Sequence, residues 1–165
     1  MGNKKENKMS TFNSIGLDQA KSKELSAQLN DLLANFQIFY MNARGYHWNI
    51  KGNQFFELHL KFEELYNDLL VKVDEIAERV LTLGETPLHT FSEYIEQSEI
   101  KAQKNVTSGD ACISDILASF AILLKKERTI LENASEINDE GTSALMGDYI
   151  REQEKLVWMY SSFLG

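Results

Sequence analysis

Residues 31–60 read DLLANFQIFYMNARGYHWNIKGNQFFELHL, and this stretch decides the fold. Leu32, Phe36, Phe39, Tyr40 and Ala43 recur at the three- and four-residue steps that line one face of an α-helix. Leu25 and Leu29 carry the stripe backwards, so one helix is expected from about Asp18 to Ile50. Lys51-Gly52-Asn53 then breaks the pattern as a tight turn. A second stripe of Leu58, Phe62, Leu65, Leu69, Val73, Ile76 and Val80 predicts a helix from about Gln54 to Leu83. So short a turn makes the two helices antiparallel neighbours.

Further along, Gly84-Glu-Thr-Pro-Leu88 ends the second helix, and about 25 residues pass before Thr107-Ser108-Gly109-Asp110 opens a third. That helix carries Ile113, Ile116, Phe120, Leu124, Leu131 and Ile137. After the turn from Asn138 to Gly141, a fourth runs from about Thr142 to Phe163. The long connection holds a helix-like patch at Phe91 to Gln97, and it is long enough to cross the whole bundle. The fold class is therefore all-α: a four-helix bundle of the ferritin-like variant, with one long crossover between its second and third helices and a short helix within it. The single proline, Pro87, and the scarcity of β-branched alternation fit that class. Residues 18–165 form one domain, preceded by a flexible tail over 1–17.

The 165 residues are 43% hydrophobic and 25% charged, which excludes collagen, mucin, disorder and a disulfide scaffold. No apolar run approaches the roughly 20 residues that span a bilayer, and MGNKKENKMS lacks a signal-peptide core, so a cytoplasmic protein with no membrane partner is expected. Cys112, the only cysteine, sits in ACISDILASF as a small buried hydrophobe. With 17 Lys+Arg against 25 Asp+Glu, the net charge of −8 argues against a body that grips nucleic acid and suits one that collects cations.

The informative polar residues sit where an apolar stripe should continue. His47 lies about 20° from Phe36 on a helical wheel, on the buried face of its helix. His59 opens the stripe of the next helix; Glu63, Asp74 and Glu78 lie about 40°, 60° and 100° from it. Asp74 and Glu78, four apart, can converge on a cation and would repel each other without one. Neutral imidazole with carboxylate suits Fe(II) held open to an oxidant; Zn(II) and Mn(II) fit as well. The alternative for each residue alone is a hydrogen-bonded core histidine or a solvated acidic edge. His59 and Asp74 are about 22 Å apart along one helix and cannot share a metal within one chain. A second chain packed antiparallel along the band would bring its Asp74 and Glu78 to the first chain's histidines, giving a twofold dimer with two equivalent sites. The Glu-x-x-His pattern of intrachain di-iron bundles is absent.

These residues resemble the Dps-type mini-ferritins, the DNA-binding proteins from starved cells. The likeness runs over residues 18–163 and is densest in Arg44-Gly-Tyr-His-Trp-Asn-Ile50, Phe55-Phe-Glu-Leu-His59 and Asp74-Glu-Ile-Ala-Glu78. It implies that His47 and His59 of one subunit and Asp74 and Glu78 of its mate are the ligands of an intersubunit ferroxidase site. Glu63 stands at an accessory acidic position where the family usually has Asp. Trp48 matches a tryptophan that can take up oxidising equivalents, or it fills an interface. The resemblance further implies a hollow dodecamer built from twofold dimers. Such a shell binds Fe(II), oxidises it with hydrogen peroxide in preference to dioxygen, stores ferric iron and protects against oxidative stress. Asp139, Glu140 and Asp148 are candidates for a carboxylate-lined pore, or else a solvated charged turn. His89 reads as an ordinary loop residue.

Family members that bind DNA usually use lysine-rich tails, and Lys4, Lys5 and Lys8 precede the first helix here. Twelve copies would carry a charge of about −96, so tail-mediated DNA contact, with any nucleoid association it brings, is expected to be weak and salt-sensitive. The alternatives of another class are a structural nucleoid-binding protein with a vestigial metal site, and a surface or partner-binding antigen.

Overall fold

The computed structural model describes residues 11–165. Five helices follow one another: α1 (Gln19–Asn49), α2 (Phe55–Thr82), α3 (Phe91–Gln97), α4 (Gly109–Glu136) and α5 (Glu140–Leu164). The four long helices form the bundle, and α3 is the short helix of the crossover. The expected limits hold to within about two residues, the usual scatter at helix ends.

Side-chain caps explain most of the starts. Asp18 accepts from the Lys21 amide ahead of α1, Thr90 from Glu93 ahead of α3, Ser108 from Ala111 ahead of α4 and Asp139 from Thr142 ahead of α5. The turn between α1 and α2 passes through Gly52 at φ +114°, a conformation that a side chain rarely adopts.

The facing stripes close on a core of Leu29, Phe36, Phe39, Phe62, Ile76, Ile116 and Phe120, each at most 1% exposed. Phe39 meets Phe120 edge-on with ring centroids 5.2 Å apart.

Three asparagines of α1 hold the crossover to the bundle. Asn30 accepts from the Leu88 amide and donates to Thr86 O. Buried Asn35 accepts from the amides of Glu99 and Ile100, each at 3.0 Å. Asn42 accepts from Gln103 and donates to Lys101 O. The crossover thus climbs α1 from the level where α2 ends to the level where α2 began, where the Lys51 amide donates to Thr107 O. Helix α4 must then start beside the start of α2 and run parallel to it, as a bundle with a single long crossover requires.

Of the segment expected as a tail, residues 11–17 are described. Asn13 donates to Leu83 O and Ser22 Oγ at 3.2 Å, and its side-chain oxygen accepts from Leu17 N at 2.9 Å. Lys4, Lys5 and Lys8 lie outside the described residues.

Candidate metal centre

His47 lies in the last turn of α1 and His59 near the start of α2, and the short turn between the helices folds one ring onto the other. The imidazoles stack with centroids 3.7 Å apart and planes 16° from parallel. Phe55 stacks in turn on His59 at 5.0 Å, and Tyr66 meets His47 edge-on at 5.3 Å. His47 is buried and His59 half-buried.

Their hydrogen bonds are reciprocal. His47 Nδ1 lies 2.7 Å from the backbone carbonyl oxygen of His59, and His59 Nδ1 lies 2.7 Å from that of His47. A carbonyl can only accept, so each Nδ1 carries the hydrogen and donates. In the neutral rings the lone pair is then on Nε2. An imidazole oriented through Nδ1–H to a carbonyl is the arrangement that fixes tautomer and ring direction in metal-ligating histidines.

The carboxylates are elsewhere. Asp74 and Glu78 are exposed on α2, and neither has an ion-pair partner among the described residues. Fifteen residues of helix separate Asp74 from His59, about 22 Å. Glu63 is half-buried one turn beyond His59, also without an ion pair among the described residues. Among the described residues no three His, Cys, Asp or Glu side chains are close enough to hold a metal ion. The chain therefore brings the two histidines together, with Glu63 one turn away, and leaves Asp74 and Glu78 apart from them. Leu70, in the angular band of His59, is 47% exposed, and Trp48, next to His47, is 57% exposed.

One neighbour of the histidines was not singled out by its residue type. Arg44, one turn before His47, lies over three aromatic rings, Trp48 at 4.8 Å, Tyr40 at 5.5 Å and Tyr66 at 5.6 Å. Its Nη1 donates to the Tyr40 hydroxyl at 3.0 Å. No carboxylate pairs with it among the described residues.

A second polar group, buried within the bundle, also escaped the stripe reading. Lys72 is 4% exposed; its ammonium donates to Asp68 at 2.6 Å and to Glu152 at 2.8 Å. Next to it, Glu127 is fully buried and accepts from the side-chain amide of Gln153. Burial pushes the Glu127 carboxyl up to about 7, against the downward pull of the Gln153 hydrogen bond and of the Lys72 and Arg128 charges. Tyr149 donates to Glu75 at 2.6 Å, and burial raises its hydroxyl pKa above the ordinary range. A polar residue on an apolar helix face is the available signal, and Lys72 and Glu127 both carry it.

Asp139, expected as a pore candidate, is 2% exposed. It caps α5, accepts from the Thr142 hydroxyl and pairs with Arg79 at 2.6 Å. Its oxygens are occupied by structural partners. Glu140 is exposed, as is Asp148, which pairs with Arg151 at 3.0 Å. Cys112 is free and fully buried, and burial pushes its thiol up to about 11. His89 is held by the carbonyl of Pro87 at 2.9 Å.

The ferritin-like domain family matches residues 26–165. The chain is 41% identical over 148 residues to the DNA protection during starvation protein of Porphyromonas gingivalis, covering 90% of this chain and 93% of that one. The crystal structure of the Dps protein of Vibrio cholerae O1 superposes with a TM-score of 0.93 at 55% identity, over 94% of this chain and 98% of that one. The chain belongs to the Dps family. A third Dps protein, from Staphylococcus aureus, superposes with a TM-score of 0.84 at 32% identity, over 87% of this chain and 96% of that one. Among the described residues of this Dps protein, no helix is long and apolar enough to cross a membrane.

Proposed function

We propose that this Dps protein is a ferroxidase and iron store. It would bind Fe(II) between paired chains, oxidise it with hydrogen peroxide in preference to dioxygen, and keep the ferric product inside a dodecamer built from twofold dimers. In this reading His47 and His59 are the imidazole ligands from one chain, Asp74 and Glu78 are the carboxylate ligands from its mate, and Glu63 is an accessory acid. The observation that carries it is the reciprocal pair of Nδ1–H bonds between His47 and His59, which leaves two Nε2 lone pairs on stacked rings with no third ligand among the described residues of the same chain.

The acids supply the complementary half. Asp74 and Glu78 are exposed, without an ion pair among the described residues and on the same helix as His59, so an antiparallel twofold contact of α2 with its copy would set both halves side by side twice. The related Vibrio cholerae protein is itself a member of a broad superfamily of ferritin-like diiron-carboxylate proteins. Imidazole plus carboxylate binds Fe(II) while leaving coordination positions for the oxidant. Two irons oxidised together by one peroxide supply its two electrons and release no hydroxyl radical, which is the protective logic of the reaction. The setting is cytoplasmic. DNA contact, if made through Lys4, Lys5 and Lys8, is weak and falls with salt.

The test is anaerobic loading with Fe(II), then a peroxide pulse, following ferric absorbance in wild type and Asp74→Ala with the assembly size of both checked. Fast oxidation in wild type, lost in an intact Asp74→Ala assembly, is the expected result. Equal rates in the two proteins would remove the ferroxidase assignment and leave the structural, nucleoid-binding reading.

A further inference from the structure

His59 is the less secured of the two stacked histidines. His47 is buried, with His59 against it at 3.7 Å and Tyr66 edge-on at 5.3 Å. His59 is half-buried and stands near the start of α2, whose N-cap, Gln54, makes no side-chain bond to the first turn. Asp18, Ser108 and Asp139 do make one ahead of α1, α4 and α5. Packing has to hold at the start of α2 what a cap holds in the other long helices.

The bond that orients His59 comes from the end of α1. Were that helix to continue, the Lys51 amide would bond to the His47 carbonyl; it donates instead to Thr107 O at 3.0 Å. The His47 carbonyl is thereby one of the orphan acceptors of a helix C-terminus, and His59 Nδ1, at 2.7 Å, is the donor that satisfies it. One such bond selects the tautomer, but a ring can still tilt and swing about it. Phe55 closes that freedom. Its ring lies 5.0 Å from His59 with planes 19° apart, while His47 lies 3.7 Å away at 16°. Two near-parallel rings cannot occupy one face of a third, so Phe55 and His47 hold the imidazole from opposite sides. Phe55 is half-buried and stands one helical turn before His59, on the same face of α2.

We propose that Phe55 is a positioning residue of the candidate metal centre: it clamps His59 against His47, keeping the hydrogen on Nδ1 and leaving Nε2 free to bind metal. This rests on the assignment of His59 as a ligand and adds a residue, outside the ligand set, that the site needs. Phe55 acts by ring contact alone, so shape decides which substitutions the site tolerates. A flat ring at position 55 preserves the clamp. A branched aliphatic side chain has no plane to lay on the imidazole. His59 then swings, its bond to the His47 carbonyl is made only part of the time, and Nε2 carries the hydrogen in a share of the molecules.

Two readouts on the assembled full-length protein test this in wild type, Phe55→Leu and Phe55→Tyr. The first needs no metal: NMR of the ring nitrogens in sedimented, histidine-labelled protein, in a His89→Gln background that leaves only the stacked pair, at about pH 8, where imidazole is ordinarily neutral. Wild type and Phe55→Tyr should show Nδ1–H at both histidines, and Phe55→Leu a mixture of tautomers at His59. The second is anaerobic Fe(II) titration calorimetry without oxidant. Phe55→Leu should bind about tenfold more weakly than wild type, the loss usual when a ligand's supporting partner is removed, and Phe55→Tyr within about threefold of wild type. A single Nδ1–H form with unchanged affinity in Phe55→Leu overturns the proposal and leaves the ligand assignment standing, as does a tautomer mixture at His59 in wild type. Equal weakening in Phe55→Tyr and Phe55→Leu overturns it too, because the ring is then not what matters. Tight Fe(II) binding that survives Asp74→Ala defeats the ligand assignment, whatever the tautomers, and this inference with it. If Phe55→Leu fails to assemble, Phe55→Met is read in its place with the same outcomes.

Discussion

Glu127 offers a sharp test of how the bundle tolerates buried polarity. Its Oε1 accepts from the Gln153 amide, but its Oε2 and the Gln153 Oε1 are both buried acceptors with no donor among the described residues. One proton on Oε2 changes this, because a protonated carboxyl donates and the orphan amide oxygen accepts. Burial has the same preference, since it disfavours the anion and lifts the carboxyl from its ordinary 4.5 to about 7. The native state therefore holds a proton that the unfolded chain releases near pH 4.5. The stability this supplies is full below that pH and is lost as pH rises towards about 7. At about 1.4 kcal/mol per pH unit the loss is about 3 kcal/mol, after which the curve is flat. Glu127→Gln keeps the shape and replaces the acid O–H by an amide N–H at every pH. The variant should match wild type within about 1 kcal/mol at pH 5 and exceed it by about 2–3 kcal/mol at pH 8. Urea unfolding at fixed protomer concentration, from pH 5 to pH 8, reads the difference directly, and the fixed concentration holds the contribution of assembly constant. The reasoning is refuted if wild type and Glu127→Gln show parallel stability–pH curves, or if the variant is the less stable protein at pH 8.

Other substitutions probe the devices that shape the bundle. Asp139→Ala removes the α5 cap and leaves Arg79 facing an unpaired buried position; a loss of about 2–4 kcal/mol is expected in urea unfolding, with Asp139→Asn milder. Asn35→Ala strips the acceptor from the amides of Glu99 and Ile100 and should cost about 1–3 kcal/mol, with faster hydrogen exchange confined to the end of the crossover. Cys112 should resist thiol reagents at neutral pH in the native protein and react once urea unfolds it, because its thiol is buried and its pKa raised. Reaction at equal rates with and without urea would show that the α4 start is open to solvent.

The four helices and the crossover were legible because each depends on local periodicity and local breaks. The Lys51–Gln54 turn and the Gly84–Leu88 break are both written in residues that cannot continue a helix. The nearness of His47 to His59 was legible for the same reason, since so short a turn sets the end of α1 beside the start of α2; the stacking of the two rings was not. What the stripes could not show are pairings across the fold. Asn30, Asn35 and Asn42 read as polar interruptions of α1, and only the returning crossover makes them its anchors. Asp139 read as a surface acid because its partner Arg79 lies far away in sequence. Arg44 was visible inside the quoted motif, but its aromatic bed needs Tyr66 from the opposite helix.

These pairings also bear on where cation chemistry can occur. Around buried Lys72 and Glu127 the carboxylates are already engaged: Asp68 and Glu152 with Lys72, Glu75 with Tyr149, and Glu127, through one oxygen, with Gln153. A metal entering there would have to displace an ammonium that is 95% buried by its side chain and held by two acids. Glu63, Asp74 and Glu78 have no ion pair among the described residues and lie on α2, Asp74 and Glu78 exposed and Glu63 half-buried. Lys72 thus fills by covalent attachment the role a bound cation would otherwise play among these helices. An iron site of the kind proposed would lie at the surface, where one chain would offer nitrogen and another oxygen. A protein built this way would link iron oxidation to assembly. Dilution or mutation that separates the twofold pair should abolish tight Fe(II) binding even though each four-helix subunit keeps its fold.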